Sequence, residues 1–238
     1  MIWWIMACIS AFFVKGLCGF ANTLVFTTIL SFGNSNINIS PVELLLGYPT
    51  NIILAWKERK SIKWKLSISL AAIVLLGSVP GIFFLKNTNT DLLKGLFGLL
   101  IIYIALEMLY REFRPKEQKQ SKVVMIIIAV LSGILCGLYG VGALLGAYLS
   151  KTTEDSRAFK ANICMIFVIE NTFRIILYAI WGIITFDILK QALVVAPFML
   201  VGLFAGMSSS RVLNEKAAKK LVLVMLMVSG AALVINSL

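Results

Sequence analysis

The sequence predicts an all-α, multi-pass membrane protein made of two inverted repeats, each a re-entrant, glycine-broken hairpin followed by three transmembrane helices. Three observations predict it. Of 238 residues 60% are hydrophobic, with a mean hydropathy of +0.94 and several apolar stretches of membrane-spanning length. A glycine-broken stretch occurs twice, as KGLCGFANTLV and CGLYGVGALLG, so that Gly16, Leu17 and Gly19 recur as Gly137, Leu138 and Gly140 at a constant offset of 121. Finally, Lys and Arg are gathered into a few short links between apolar segments, where they set orientation.

The first repeat is expected over residues 1–110, with a hairpin at 2–32 and helices at 41–56, 66–85 and 92–110. Its opening stretch, MIWWIMACIS, lacks the positive n-region and small-residue cleavage site of a signal peptide, so it is read as part of the mature fold. The link REFRPKEQKQSK at 111–122 is the seam between halves. The second repeat follows over 123–238, with a hairpin at 123–150 and helices at 161–184, 188–210 and 221–236. Gly77 and Gly81 match Gly202 and Gly206 as small-xxx-small faces that let helices approach closely.

Charge decides how the broken segments run. If all eight segments crossed, the two sides would carry 11 and 9 basic residues, which orients nothing. If the first and fifth are hairpins, the links at 57–65, 111–122, 151–160 and 211–220 share one side with 17 basic residues, against 3 opposite. The positive-inside rule then makes these links cytoplasmic and both chain ends external. One hairpin plus three crossings is an odd count, so the second half is inverted and the two glycine tips approach near the midplane. Trp3, Trp4 and Trp181 are expected at the outer interface, with Trp56 and Trp64 flanking a cytoplasmic link.

Helices that restart at depth point their unpaired N–H groups and positive dipole ends into the space between the tips, which favours an anion. The candidate substrate-binding residues are Lys15, Gly16, Gly19, Asn22 and Thr23 at the first tip and Gly137, Gly140 and Gly142 at the second, where Tyr139 and backbone amides replace a charge. Two helices bring polar groups to the same depth: Asn51 beside Pro49 in the first half, and Asn171 with Glu170 and Arg174 in the second. Glu170 and Arg174, spaced i,i+4, either form a self-neutralising pair or divide the work, Arg174 at the anion and Glu170 as the coupling candidate. Glu43 and Glu107 fall near helix ends and are expected at the interface.

Absences exclude other chemistry. Without histidine, imidazole metal ligation and His-based acid–base catalysis are ruled out, and no metal or cofactor is expected. Cys8, Cys18, Cys136 and Cys164 form no CxxC pair and read as small core residues. There is no GxxxxGK[ST] loop and no GxSxG elbow, so energy for transport comes from a gradient, proton or sodium, or from a partner. The formal charge of +11 lies in links, not in a groove for nucleic acid. The expected partners are a small anion, the lipid bilayer and a coupling ion, with room for a homo-oligomer.

VKGLCGFANTLV and LCGLYGVGALLG at the heads of the repeats, with GSVPG and GLFAG in their third segments, resemble the sulfite exporter TauE/SafE family over residues 5–236. The resemblance implies a non-enzymatic cell-membrane transporter exporting small sulfur-containing anions such as sulfite or organosulfonates. Phe20, Ala21 and Asn22 depart from that family's run of small residues. A passive anion channel, or a membrane scaffold or binding subunit, is the alternative reading.

Overall fold

The computed structural model describes residues 1–31, 36–87, 122–140, 142–153 and 155–210, with isolated helical positions at 98–99, 102–103, 106, 224, 227–228, 231 and 234. The segments expected at 92–110 and 221–236, the link at 111–122 and Glu107 fall almost wholly outside these residues. Described secondary structure is helical throughout: α1 (Ile2–Cys18), α2 (Asn22–Ser31), α3 (Asn36–Lys57), α4 (Trp64–Asn87), α5 (Lys122–Tyr139), α6 (Ala143–Thr152), α7 (Ser156–Ile180) and α8 (Phe186–Ser209). Among the described residues, α4, α7 and α8 are long and apolar enough to cross a membrane.

Each glycine-broken stretch is a helix, a break and a ten-residue helix. Helix α1 ends at Gly19, whose left-handed backbone (φ 88) aims its N–H at Lys15 O, 2.6 Å away. Gly140 ends α5 in the same way, at φ 71 and 2.8 Å from Cys136 O. Ten residues rise about 15 Å, half of a hydrocarbon core, so neither α2 nor α6 spans it alone. Helix α2 instead turns back along α1: the Trp4 and Phe26 rings meet edge to face, centroids 5.8 Å apart. That contact buries Trp4 inside the protein, whereas Trp3 remains 68% exposed.

The helices pack as α1 on α8, α4 on α5, α3 on α7, α4 on α7 and α3 on α8, with α2 against α3 and α6 against α7. Glycine sets the two closest seams. A Cβ on Gly81 would lie 3.0 Å from Gly137 Cα, and one on Gly206 would lie 3.0 Å from Gly16 Cα. Backbones this close leave no room for a side chain on either partner, and they gain dispersion along the whole contact.

Two helices start five residues before the expected positions, and both shifts matter for depth. Helix α3 begins at Asn36, not 41, and carries Pro41 within it. Glu43 therefore stands two turns inside the helix at 4% exposure, which overturns its expected interfacial place. Helix α7 begins at Ser156, capped by Asp155, whose carboxylate accepts from Ala158 N at 2.7 Å. On α7, Asn162 Oδ1 accepts from Lys63 N and Ser67 Oγ, both at 2.8 Å, and its amide donates to Ser61 O at 3.2 Å. These bonds fasten the link at 57–65 to the start of α7.

Candidate functional site

The two chain breaks, far apart in sequence, meet at one cavity. Residues 20–24 from the first break, Gly140 and Gly142 from the second, and Phe167 of α7 line one small, partly open cavity. Helices α2 and α6 both begin at this cavity, so two sets of unpaired helix N–H groups open on it. Gly142 has an ordinary φ of −103 but faces the Phe167 ring, whose Cε1 would lie 2.6 Å from an added Cβ. Ala21, an L-residue at φ 70, holds the corresponding bend in the first break. Left-handed backbone costs such a residue about 1–2 kcal/mol, so the surrounding packing must hold the bend in place.

Behind the cavity lie four buried charged side chains, two cations and two carboxylates, the full set of buried charges among the described residues: Lys15, Arg174, Glu43 and Glu170. Lys15, in the last turn of α1, points inward and donates to Gly47 O at 3.3 Å. The same carbonyl accepts from Thr50 Oγ1 at 2.7 Å. Glu43 Oε1 accepts from Asn22 Nδ2 and, at 2.8 Å, from Thr23 Oγ1, so the first residues of α2 hold a carboxylate of this chain. A negative group at a helix N-terminus is favoured by the dipole and by the free N–H groups.

Arg174 is clamped on several sides. Its Nη1 donates to Cys136 O at 2.9 Å, its Nη2 to Ser40 Oγ at 3.2 Å, and the guanidinium lies over the Tyr178 ring at 5.4 Å. Its approach to Glu170 is looser, 3.8 Å from Nη1 to Oε1. Glu170 Oε1 also accepts from Ser78 Oγ of α4 at 3.3 Å. Glu170 Oε2, Arg174 Nε and Asn51 Oδ1 are buried without a hydrogen-bond partner. A Cβ on Gly140 would lie 2.9 Å from Arg174 Nη1 and 3.1 Å from Glu43 Oε2, so the second break touches both charges.

The candidate residues thus separate by position. Asn22, Thr23, Gly140 and Gly142 line the cavity, and Gly19 ends α1 just before it. Lys15, Glu170 and Arg174 stand behind it, with Asn51 and Asn171 buried on α3 and α7. Gly16 and Gly137 lie in the α1–α8 and α4–α5 seams, one turn before the breaks. The Tyr139 side chain is outside the described residues.

The family model described as sulfite exporter TauE/SafE matches residues 4–233, a span that contains both breaks and all four buried charges. The chain belongs to the sulfite exporter TauE/SafE family. No curated protein and no solved structure matches it. As a TauE/SafE protein it is a membrane transporter, in keeping with its apolar helices.

Sequence reasoning did not single out several residues that the structure brings to this candidate site: Glu43, Ser40, Gly47, Phe167 and Tyr178. A signal for them existed. Ser40, Glu43, Gly47, Thr50 and Asn51 recur at three- and four-residue spacing, and so form one polar or small stripe on an otherwise apolar helix. Phe167, Glu170, Asn171, Arg174 and Tyr178 form the matching stripe on α7. Helices α3 and α7 pack against each other, and Ser40 Oγ meets Tyr178 OH at 3.2 Å.

Proposed function

We propose that this TauE/SafE chain is a secondary transporter that exports a small sulfur-containing anion, sulfite or an organosulfonate, across the cell membrane by alternating access. The observation that carries the reading is the meeting of two helix breaks, with equivalent left-handed glycines at Gly19 and Gly140, around one cavity backed by buried cations. Discontinuous helices whose half-helix N-termini face a common site are how inverted-repeat transporters hold anionic groups. Non-helical backbone at membrane depth is tolerated only where it is buried in protein or lines a cavity.

The packing supports two repeats, 1–110 and 123–238, joined by the basic link at 111–122. Exchanging α1 to α4 for α5 to α8 maps the pairs α1–α8, α4–α7 and α2–α3 onto α5–α4, α8–α3 and α6–α7, and α3–α7 onto itself. A pseudo-two-fold axis through the α3–α7 contact produces this exchange. Each glycine seam joins a helix of one half to a helix of the other, so α1 with α8 and α4 with α5 would move as pairs while the breaks change their exposure. Asn22, Thr23, Gly140, Gly142 and the α2 and α6 N-termini contact the anion in this reading, Lys15 and Arg174 are the cations behind them, each balanced by a buried carboxylate, and Asn51 and Asn171 flank the path.

Purified protein in liposomes tests the reading. Efflux of sulfite or methanesulfonate should saturate with concentration and collapse when the proton or sodium gradient is dissipated. Non-saturating flux would make the protein a channel, and absence of flux for both anions would remove transport of this class.

A further inference from the structure

We propose that Glu43 is the proton-accepting residue of the anion site, and that a sulfur oxyanion binds together with one proton carried on the Glu43 carboxyl. The inference rests on the transport reading above and adds to it the residue that links anion to proton.

Charge balance comes first. With both carboxylates ionised, Glu43 and Glu170 match Lys15 and Arg174, and the buried cluster is neutral before any anion arrives. A bound anion leaves an uncompensated negative charge in a low-dielectric interior, which is costly unless a positive charge comes with it. A proton from solvent, taken up by one carboxylate, restores the balance.

Geometry then selects the carboxylate. Glu43 Oε1 is held by Asn22 and Thr23, two residues that line the cavity, and Oε2 faces Gly140, which lines it from the other break. Protonated on Oε2, the carboxyl keeps both donors on Oε1 and gains an O–H that donates to an oxyanion in the cavity. The carboxylate thereby changes from a repelling charge to a hydrogen-bond donor. Glu170 has no hydrogen bond to a cavity-lining residue: its Oε1 is engaged by Ser78 of α4 and approached by Arg174, and its Oε2 has no hydrogen-bond partner. Around Glu43 the charged and titratable groups are Lys15 from α1, Arg174 and Glu170 from α7, and Cys136 from α5. Helix α8 also packs on α3, but Asp187 and Lys190 are exposed at its start.

Calorimetric titration of the full-length purified protein, in two buffers of different ionisation enthalpy at one pH, counts the protons. Methanesulfonate is the main probe because its own charge is constant, with sulfite as the second. The wild type should take up about one proton per methanesulfonate bound, and its affinity should fall about tenfold per pH unit on the alkaline side. Glu43→Gln should bind with no proton uptake and a flat pH profile, and Glu43→Asp should retain uptake. If Glu43→Gln does not purify as a monodisperse protein, Asn22→Leu combined with Thr23→Val tests the same point. Losing both donors should raise the pH midpoint of uptake, because they favour the ionised carboxylate, and an unmoved midpoint overturns the proposal. Binding without uptake in the wild type, or uptake persisting in Glu43→Gln, removes Glu43 from the linkage and leaves the transporter reading standing. Failure of both anions to bind or to move in liposomes removes the transporter reading, and this proposal with it.

Discussion

Gly140 and Arg174 touch across the second chain break: an added Cβ would lie 2.9 Å from Nη1 and 3.1 Å from Nη2. The glycine is needed twice over, for its positive φ and for the guanidinium beside it. Gly140→Val should abolish methanesulfonate binding and transport while the protein still inserts and purifies, because the clash falls on side-chain ends and not on a helix seam. Transport at the original rate in Gly140→Val would show that the break is not part of the anion site.

The seam glycines should behave differently. A side chain at Gly81 or Gly206 meets backbone of the neighbouring helix, which cannot swing away. Gly81→Val and Gly206→Val should destabilise by at least the 1–3 kcal/mol typical of overpacking, read as a lower melting temperature in detergent. Wild-type melting in either variant would mean that the seam has room the distances deny.

Topology is open to labelling. Asn162 ties the link at 57–65 to the start of α7, which places two of the basic links on one face. Single cysteines at the exposed positions Lys60 and Arg157, in a background without Cys8, Cys18, Cys136 and Cys164, should label from the cytoplasmic side. Cysteines at Trp3 and Phe186 should label from outside. Labelling of Lys60→Cys and Phe186→Cys from one side would break the proposed arrangement.

Arg174 poses the remaining question of charge. Arg174→Gln should weaken sulfite and methanesulfonate binding by at least tenfold, since a neutral amide replaces neither the charge nor the fork that suits an oxyanion. It also strands Glu170, and breaking a buried pair costs about 3–5 kcal/mol in its own right. The double variant with Glu170→Gln separates the two effects: stability should recover and anion affinity should not. Recovery of affinity would confine Arg174 to pairing with Glu170.

The sequence by itself determined the solvent, the helical class and the two breaks, because each is written in local terms. Apolar runs fix where the chain can lie in lipid, and Gly19 and Gly140 recur at the same offset where a helix must stop. It also brought Glu170 and Arg174 together, since residues four apart share a helix face whatever surrounds them. The tertiary structure decided what those faces meet. Gly16 and Gly19 look alike in sequence, yet one lies against Gly206 and the other ends a helix before the cavity. Counting the helix from Pro41 places Glu43 at the interface, and a helix that starts at Asn36 carries it among the buried charges. Helical periodicity states which residues share a face, but the partner of that face, and the depth at which it lies, follow only from packing α2, α3, α7 and the second break together.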